Sequence, residues 1–368
     1  MTRREVLAMA GAAPVWFSAA YPLGRAQQQG KTRLGGAPAA FSLRAQSGGG
    51  ATSFDIVEHC HQIGLGGVQT SVEVMELDGA IEFGKRVAGY GMQLILESSG
   101  TAGGDSVGYW KLDNTTKISK AAGPYCLHAT IGAGRQGMPG FGEMPGQRSS
   151  GRRRYERFDS LEAFRTDFER TTINIEHMEP TLRRNQIKLA IETPDWRAAE
   201  LAGWLKDLGS EWIGVCFDFG NNMALCDDPM DAVRTLAPYT FMCHIKDMAV
   251  DTYEDGLLLS EVALGEGILN LKEMVRILRE KDPNMPFYLD MTTGDPLHIP
   301  ALTDKYWVTF DGSPSPPTGR ARIPSLVRDN PPKKPLPHIT GLSPEAAVKL
   351  EDDNNLRCIE YARQVLGI

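Results

Sequence analysis

The strongest constraint on this chain is a recurring alternation. From Ala37 onward, short strand-like runs, most of them apolar, alternate with amphipathic stretches of helical period. The runs are Ala37–Leu43, Val68–Val72, Met92–Glu97, Tyr125–Ile131, Ile187–Glu192, Ile213–Asp218, Phe241–Ile245 and Pro286–Met291. Runs this short and this apolar suit strands covered by helices on both faces, as in a parallel sheet. Helical stretches are expected at 54–63, 77–90, 115–121, 161–184, 198–208, 229–236 and 271–280, with Gly91 as a stop after the second. Repeated βα units imply right-handed crossovers, and eight strands favour closure into a (β/α)8 barrel over an open sheet. No Gly-x-Gly-x-x-Gly follows the first run, which counts against a dinucleotide-binding fold.

A barrel needs about 250 residues, and this chain has 368. The remainder divides into recognisable appendages around a single domain at 35–368. Arg3-Arg4 precede a short apolar, Ala-rich stretch from Val6 to Tyr21, too short to span a bilayer. Thr2-Arg3-Arg4-Glu5-Val6-Leu7 resembles a twin-arginine export signal, so residues 1–30 are expected to direct export, to the periplasm, with cleavage between Ala19 and Gln27. No other stretch is long and apolar enough for a membrane span. Gly132–Tyr155, rich in Gly, Pro and Arg, follows the fourth run and is expected to be a lid-like loop, with Arg152-Arg153-Arg154 a solvated basic run. Asp311–Thr340 is Pro-rich and is expected to be an extended arm. Ser343–Leu366 is a final helix, with Ser343 as cap and Pro344 in the first turn. The formal charge of −7 argues against non-specific nucleic-acid binding. The six Cys include no CxxC pair, and Cys126, Cys216 and Cys243 lie in apolar runs, as small buried hydrophobes do. An oligomer is left open.

The ends of the runs carry the chemistry. Runs five to eight end in or next to Glu192, Asp218, His244 and Asp290, spaced 26, 26 and 46 residues apart. In a (β/α)8 barrel the carboxyl ends of the strands are where catalytic groups collect. Three carboxylates that close repel and cannot all ionise without a cation among them. Hard oxygen donors with one imidazole suit Mn2+ or Mg2+, with Co2+ and Zn2+ as further ions the set accepts. The plainer alternative makes each residue a helix cap or ion-pair partner, which explains one such residue well and four in register poorly.

Glu192 in Ile-Glu-Thr, Asp218 in Phe-Asp-Phe-Gly-Asn, His244 in His-Ile-Lys-Asp, and Leu-Gly-Glu-Gly at 264–267 followed by Leu271 resemble the xylose-isomerase-like TIM barrels. These are sugar (phosphate) isomerases and epimerases, including ketose 3-epimerases and inosose dehydratases, and the resemblance covers roughly residues 37–300. It implies that Glu192, Asp218, His244 and Asp290 ligate a divalent metal and that the carboxylates of strands five and eight move a substrate proton. The sequence departs from the epimerases at three places. Asp290 stands where they carry Glu, Asn221 where many have His, and Val250 where a substrate-contacting Arg is common.

The chemistry expected is removal of a proton next to a sugar carbonyl through an ene-diolate. Glu192 is the expected base, Asp290 mainly a ligand, and His128 the leading second acid or base, with a satisfied core histidine as the commoner structural alternative. Lys246 is expected either to hold a substrate oxygen or to pair with Asp247 or another rim carboxylate. Glu97, Trp196 and Asn221 are further substrate candidates, with packing on the rim the alternative for Trp196. His298, Tyr306 and Trp307 are placed to close the site from the side, and His59 and His61 outside the barrel. Three functions remain open: a sugar isomerase or epimerase, a lyase or hydrolase acting on 3-keto-glycosides with the same metal site, and a non-catalytic carbohydrate-binding barrel.

Overall fold

The computed structural model describes residues 32–47, 54–71, 76–97, 116–131, 153–311 and 316–368. The expected export segment and nearly all of the expected lid lie outside the described residues.

In chain order the strands are β1 (Gly35–Gly36), β2 (Gly67–Ser71), β3 (Gln93–Glu97), β4 (Cys126–Thr130), β5 (Leu189–Glu192), β6 (Ile213–Asp218) and β7 (Thr240–Ile245). They are followed by β8 (Asp247–Tyr253), β9 (Gly256–Val262), β10 (Phe287–Leu289) and β11 (Leu297–Ile299). Strands β1 to β7 and β10 close into an eight-stranded barrel in the order β1-β10-β7-β6-β5-β4-β3-β2, every pair parallel. Strands β8, β9 and β11 form a separate antiparallel sheet. The turn joining β8 to β9 is Glu254-Asp255, with Gly256 pairing back to Tyr253. That Asp-Gly pair is a hairpin signal, and the sequence reading passed over it.

The helices form for local reasons. In Leu271–Lys281, Asn270 caps the first turn by accepting from Glu273 N, and Leu271, Met274, Val275 and Leu278 form one buried face. Ala198–Leu208 stops at Gly209, whose φ of 59° is left-handed. The last helix, Pro344–Tyr361, is capped by Ser343 as expected. It fills a place in the outer ring against Ser42–Ser47, where Glu351 accepts from the backbone N–H groups of Leu43 and Arg44.

Four segments differ from expectation. The first strand is Gly35–Gly36, not Ala37–Leu43, and Pro38–Phe41 and Ser42–Ser47 are helical. Ala37 N still bonds to Leu289 O, but Pro38 has no N–H for a ladder and its fixed φ suits a helix start. Two glycines give no apolar run to detect, yet they are required, because a Cβ on Gly35 would lie 2.4 Å from the Tyr288 ring. The helix expected at 161–184 is two, Leu161–Glu176 and Glu179–Asn185, with Pro180 in the first turn of the second. In the expected extended arm, Pro316–Asp329 is helical even with Pro324 inside it. Arg154, placed in a solvated run, is fully buried. Its Nη1 donates to both Glu200 carboxylate oxygens at 3.0 and 2.8 Å, its Nε donates to Thr309 Oγ1 at 3.0 Å, and its guanidinium lies 3.4 Å from the Phe164 ring centre.

The main core lies between barrel and helices. A second, under the antiparallel sheet, gathers Met248, Val250, Leu257, Leu259, Tyr306 and Trp307. Inside the barrel, Ile95, Cys126, Ala190, Cys216, Met242 and Tyr288 fill the middle. All six cysteines are free thiols.

Candidate metal and proton-transfer site

Side chains alternate along a strand, so the residue two beyond each inner-layer residue also points into the barrel, one layer nearer the carboxyl ends. Ile95 leads to Glu97, Cys126 to His128, Ala190 to Glu192, Cys216 to Asp218, Met242 to His244 and Tyr288 to Asp290. Register aligns the layer, with Glu97 beside His128, Thr130 beside Glu192 and Asp218 beside His244.

His244 is the centre of the group. Its Nδ1 lies 3.4 Å from Glu192 Oε2 and 3.5 Å from Asp290 Oδ2. Its Nε2 lies 2.8 Å from Gln69 Oε1. His128 approaches Glu192 Oε2 with Nε2 at 3.3 Å, and its ring centre is 4.8 Å from that of His244. Asn221 Nδ2 donates to Glu192 Oε1 at 3.1 Å. Lys246 Nζ donates to Asp218 Oδ2 at 2.6 Å and lies 3.4 Å from Glu261 Oε1. The Lys246 partner is therefore Asp218, with Glu261, and not Asp247. Asp247 instead accepts from the backbone N–H groups of Met248, Gly265, Gly267 and Leu269. Those bonds explain Leu-Gly-Glu-Gly at 264–267 as a loop wrapped on a carboxylate: a Cβ on Gly267 would lie 2.2 Å from Asp247 Oδ1.

The protonation states diverge. Burial pushes Glu192 up, but the His128 and His244 imidazoles carry it well below the ordinary carboxylate range. Burial lifts Asp290 to about 8, with Lys246 opposing and Glu192 and Glu261 adding to the rise. Burial pulls the Lys246 ammonium down, and Asp218 and then Glu261 more than offset it, so Lys246 stays charged.

The donor set fits a divalent cation. Asp218, His244 and Asp290 each offer a ligand atom within 4.8 Å of the others', and so do His128, Glu192, Cys216 and His244. The four expected ligands thus fall into two groups joined at His244. Two buried atoms in the layer, His244 Nδ1 and Asp218 Oδ1, have no hydrogen-bond partner. An unpartnered imidazole nitrogen facing two carboxylates is a place where a cation is stabilised.

Other expected site residues lie elsewhere. Trp196 is 3 % exposed and packs on Phe168 and Trp204 in the outer core, so its faces are not open to a sugar. Tyr306 and Trp307 belong to the second core, bonded to Ala224 O and Ala301 O. His298 is exposed on β11, edge-on to Tyr253. None of the three closes the site. His59 packs on Phe41 and Phe54, and His61 stacks on Tyr90, both outside the barrel. Glu97 is in the layer, accepting from Gln69 Nε2 at 3.0 Å. Gln69 and Glu261 were missed. Gln69 is the buried polar residue of Val-Gln-Thr-Ser in β2, 1 % exposed, and the period-two rule places it on the inner face with the strand-end layer. Glu261 lies on β9, a strand the sequence reading did not have.

The model of one protein family, described as a xylose isomerase-like TIM barrel, matches residues 57–305. The chain belongs to that family. Among solved structures, a xylose isomerase-like TIM barrel protein from Mycobacterium smegmatis in complex with magnesium superposes with a TM-score of 0.53 at 14% identity, covering 81% of this chain and 97% of that one. A D-psicose 3-epimerase, solved in the presence of D-fructose, superposes with a TM-score of 0.51 at 14% identity, covering 85% and 93%. At such identity these likenesses speak for the fold. A curated relative, the uncharacterized protein YihM of Escherichia coli (strain K12), is 26% identical over 119 residues, 31% of this chain and 36% of its own length. In this xylose isomerase-like barrel, as in the fold generally, the site occupies the carboxyl ends of the strands.

Proposed function

We propose that the protein is a divalent-metal-dependent enzyme of the sugar isomerase and epimerase type, removing a proton α to the carbonyl of a small carbohydrate. One observation carries this reading: His244 Nδ1 faces Glu192 and Asp290 unpartnered, beside Asp218 with its own unpartnered oxygen. Glu192, Asp218, His244 and Asp290 would hold the cation, with Mg2+ or Mn2+ favoured by the oxygen-rich set; the similar Mycobacterium smegmatis protein is a magnesium complex. When bound, such an ion supplies Lewis-acid polarisation of a carbonyl and charge to stabilise an ene-diolate.

The chain's own residues divide the remaining work. Glu192 is ionised and steered by Asn221 at one oxygen and His128 at the other, the state a base needs. Asp290, one methylene shorter than Glu, serves mainly as ligand. Lys246, charged and buried, is placed to stabilise negative charge. Replacing Glu192 with Gln is expected to abolish exchange of the α-proton with D2O while metal affinity falls modestly, because the amide oxygen still coordinates. Proton NMR of metal-loaded protein with candidate sugars and 3-keto-glycosides reads this directly. Absence of exchange on every substrate by the metal-loaded wild type would leave a non-catalytic carbohydrate-binding barrel.

A second reading, elimination from 3-keto-glycosides, is favoured by the contact between His128 and Glu192 at 3.3 Å. Epimerisation uses two bases on opposite faces of a carbon; elimination uses a base with a nearby acid for the leaving oxygen, and these two residues are such a pair. The same NMR experiment separates them, because elimination releases the aglycone. We also propose, from Arg3-Arg4 and the apolar stretch after it, that residues 1–30 direct export to the periplasm. Met1 or Thr2 at the N-terminus of the mature native protein would refute it. Among the described residues no helix is long and apolar enough to cross a membrane.

A further inference from the structure

We infer that Gln69 is a positioning residue that sets which ring nitrogen bears the proton in both site histidines, through an amide whose own orientation is imposed by Glu97. That the nitrogen so exposed on His244 faces a metal rests on the function proposed above; the proton assignment itself does not.

Gln69 lies on β2, buried, with its amide between three partners. Nε2 is 3.0 Å from Glu97 Oε1 and 3.3 Å from His128 Nδ1, and Oε1 is 2.8 Å from His244 Nε2. An ionised carboxylate only accepts hydrogen bonds, so the amide nitrogen must face Glu97. The reverse orientation would oppose two oxygens with no proton between them, at a cost of about 1–3 kcal/mol for each buried group left unsatisfied. With the nitrogen so placed, the amide oxygen faces His244. A carbonyl oxygen also only accepts, so His244 must donate from Nε2. Its Nδ1 is then the nitrogen between Glu192 Oε2 and Asp290 Oδ2, and no hydrogen-bond partner occupies it.

The second amide N–H settles the other ring. Donated to His128 Nδ1, it requires that nitrogen to accept, so neutral His128 keeps its proton on Nε2. That N–H points at Glu192 Oε2, which lies 3.3 Å from the nitrogen and accepts. One amide therefore puts the two histidines to opposite uses. His244 presents a bare nitrogen to the cation position, and His128 presents a proton to the carboxylate expected to act as base. Partners that hold the far nitrogen of a ligating histidine commonly change metal affinity by about 10- to 100-fold when removed. Glu97, offered above as a substrate residue, acts here one step behind Gln69.

The test uses the full chain with 15N-labelled histidine, free of metal at neutral pH. Two-bond N–H couplings identify the protonated nitrogen of each ring, and His128→Gln and His244→Gln assign the signals. In the wild type His244 is expected to bear a proton on Nε2, and His128 on Nε2 with Nδ1 bare. Gln69→Glu keeps an acceptor for His244 but removes the donor to His128. His244 should therefore keep its Nε2 proton while His128 Nδ1, bare in the wild type, gains a proton and Nε2 keeps its own toward Glu192, a split that a general loss of packing would not produce. Gln69→Leu should release both rings and weaken Mn2+ binding by about 10- to 100-fold; if that variant does not fold, the Gln69→Glu pattern decides alone. A wild-type His244 with Nε2 bare, or a His128 unchanged by Gln69→Glu, overturns the inference. Failure of the wild type to bind Mn2+ would instead overturn the metal reading and leave the ring assignments to stand or fall on the couplings.

Discussion

Glu192 and Asp290 approach the same imidazole nitrogen from different strands, and they differ by one methylene and by a proton. Glu192 is held ionised, whereas burial lifts Asp290 from an ordinary 3.8 to about 8. In metal-free protein Asp290 binds a proton at pH 7 that the unfolded chain has already released. The folded state therefore loses stability from this group as pH rises from about 4 to about 8. A cation must displace that proton, so metal affinity should climb as pH rises toward 8, by up to about tenfold per unit, and level off above it. Calorimetric titrations of Mn2+ in buffers of different ionisation heat, from pH 6 to 9, count the proton released; an affinity flat across that range would contradict the assignment. At this scale much of the site was legible: four strand-end residues in register betray a shared layer. Gln69 was overlooked, because one amide among the polar residues of a short strand carries no motif and only its inward register marks it.

At the scale of elements, the segments that were hard to foresee depend on partners distant in sequence. Strand β1 has no side chains to announce it, and its existence depends on a tyrosine far along the sequence that needs the space. The antiparallel sheet follows β7 after only Lys246, where a barrel reading expects a loop. Arg154 was invisible for a related reason, since a run of three arginines looks solvated until one of them finds a carboxylate, a threonine and two aromatic rings. The guanidinium fastens 154–157 to the Thr309 segment and to the helix at 198–208. Arg154→Ala would leave Glu200 without its partner and open a void beside Phe164 and Phe310. It should cost about 3 kcal/mol or more, read as a lower urea midpoint with the slope unchanged. By contrast, helices with a cap and a single apolar face, such as Leu271–Lys281, were readable within a residue or two because both signals are local.

For the whole molecule, cation binding and folding should be linked. If the cation binds only the folded barrel, Mn2+ at one hundred times its Kd should add about 2.7 kcal/mol of stability, and a chelator should remove it. Thermal melts with and without metal check this; equal midpoints would argue against binding. The Tyr288 side chain has a further consequence. Its ring takes the room left by Gly35 and Gly67, its hydroxyl is tied to Gln93 O at 3.2 Å, and it shares a buried layer with Ile95, Cys126, Ala190, Cys216 and Met242. The barrel is thus a cup with a stoppered base. Whatever is converted at the rim must enter and depart by one mouth, so substrate and product can never pass each other. Each should inhibit the other competitively in steady-state kinetics, and the turnover of a concentrated solution should slow as the cup refills with what it has made.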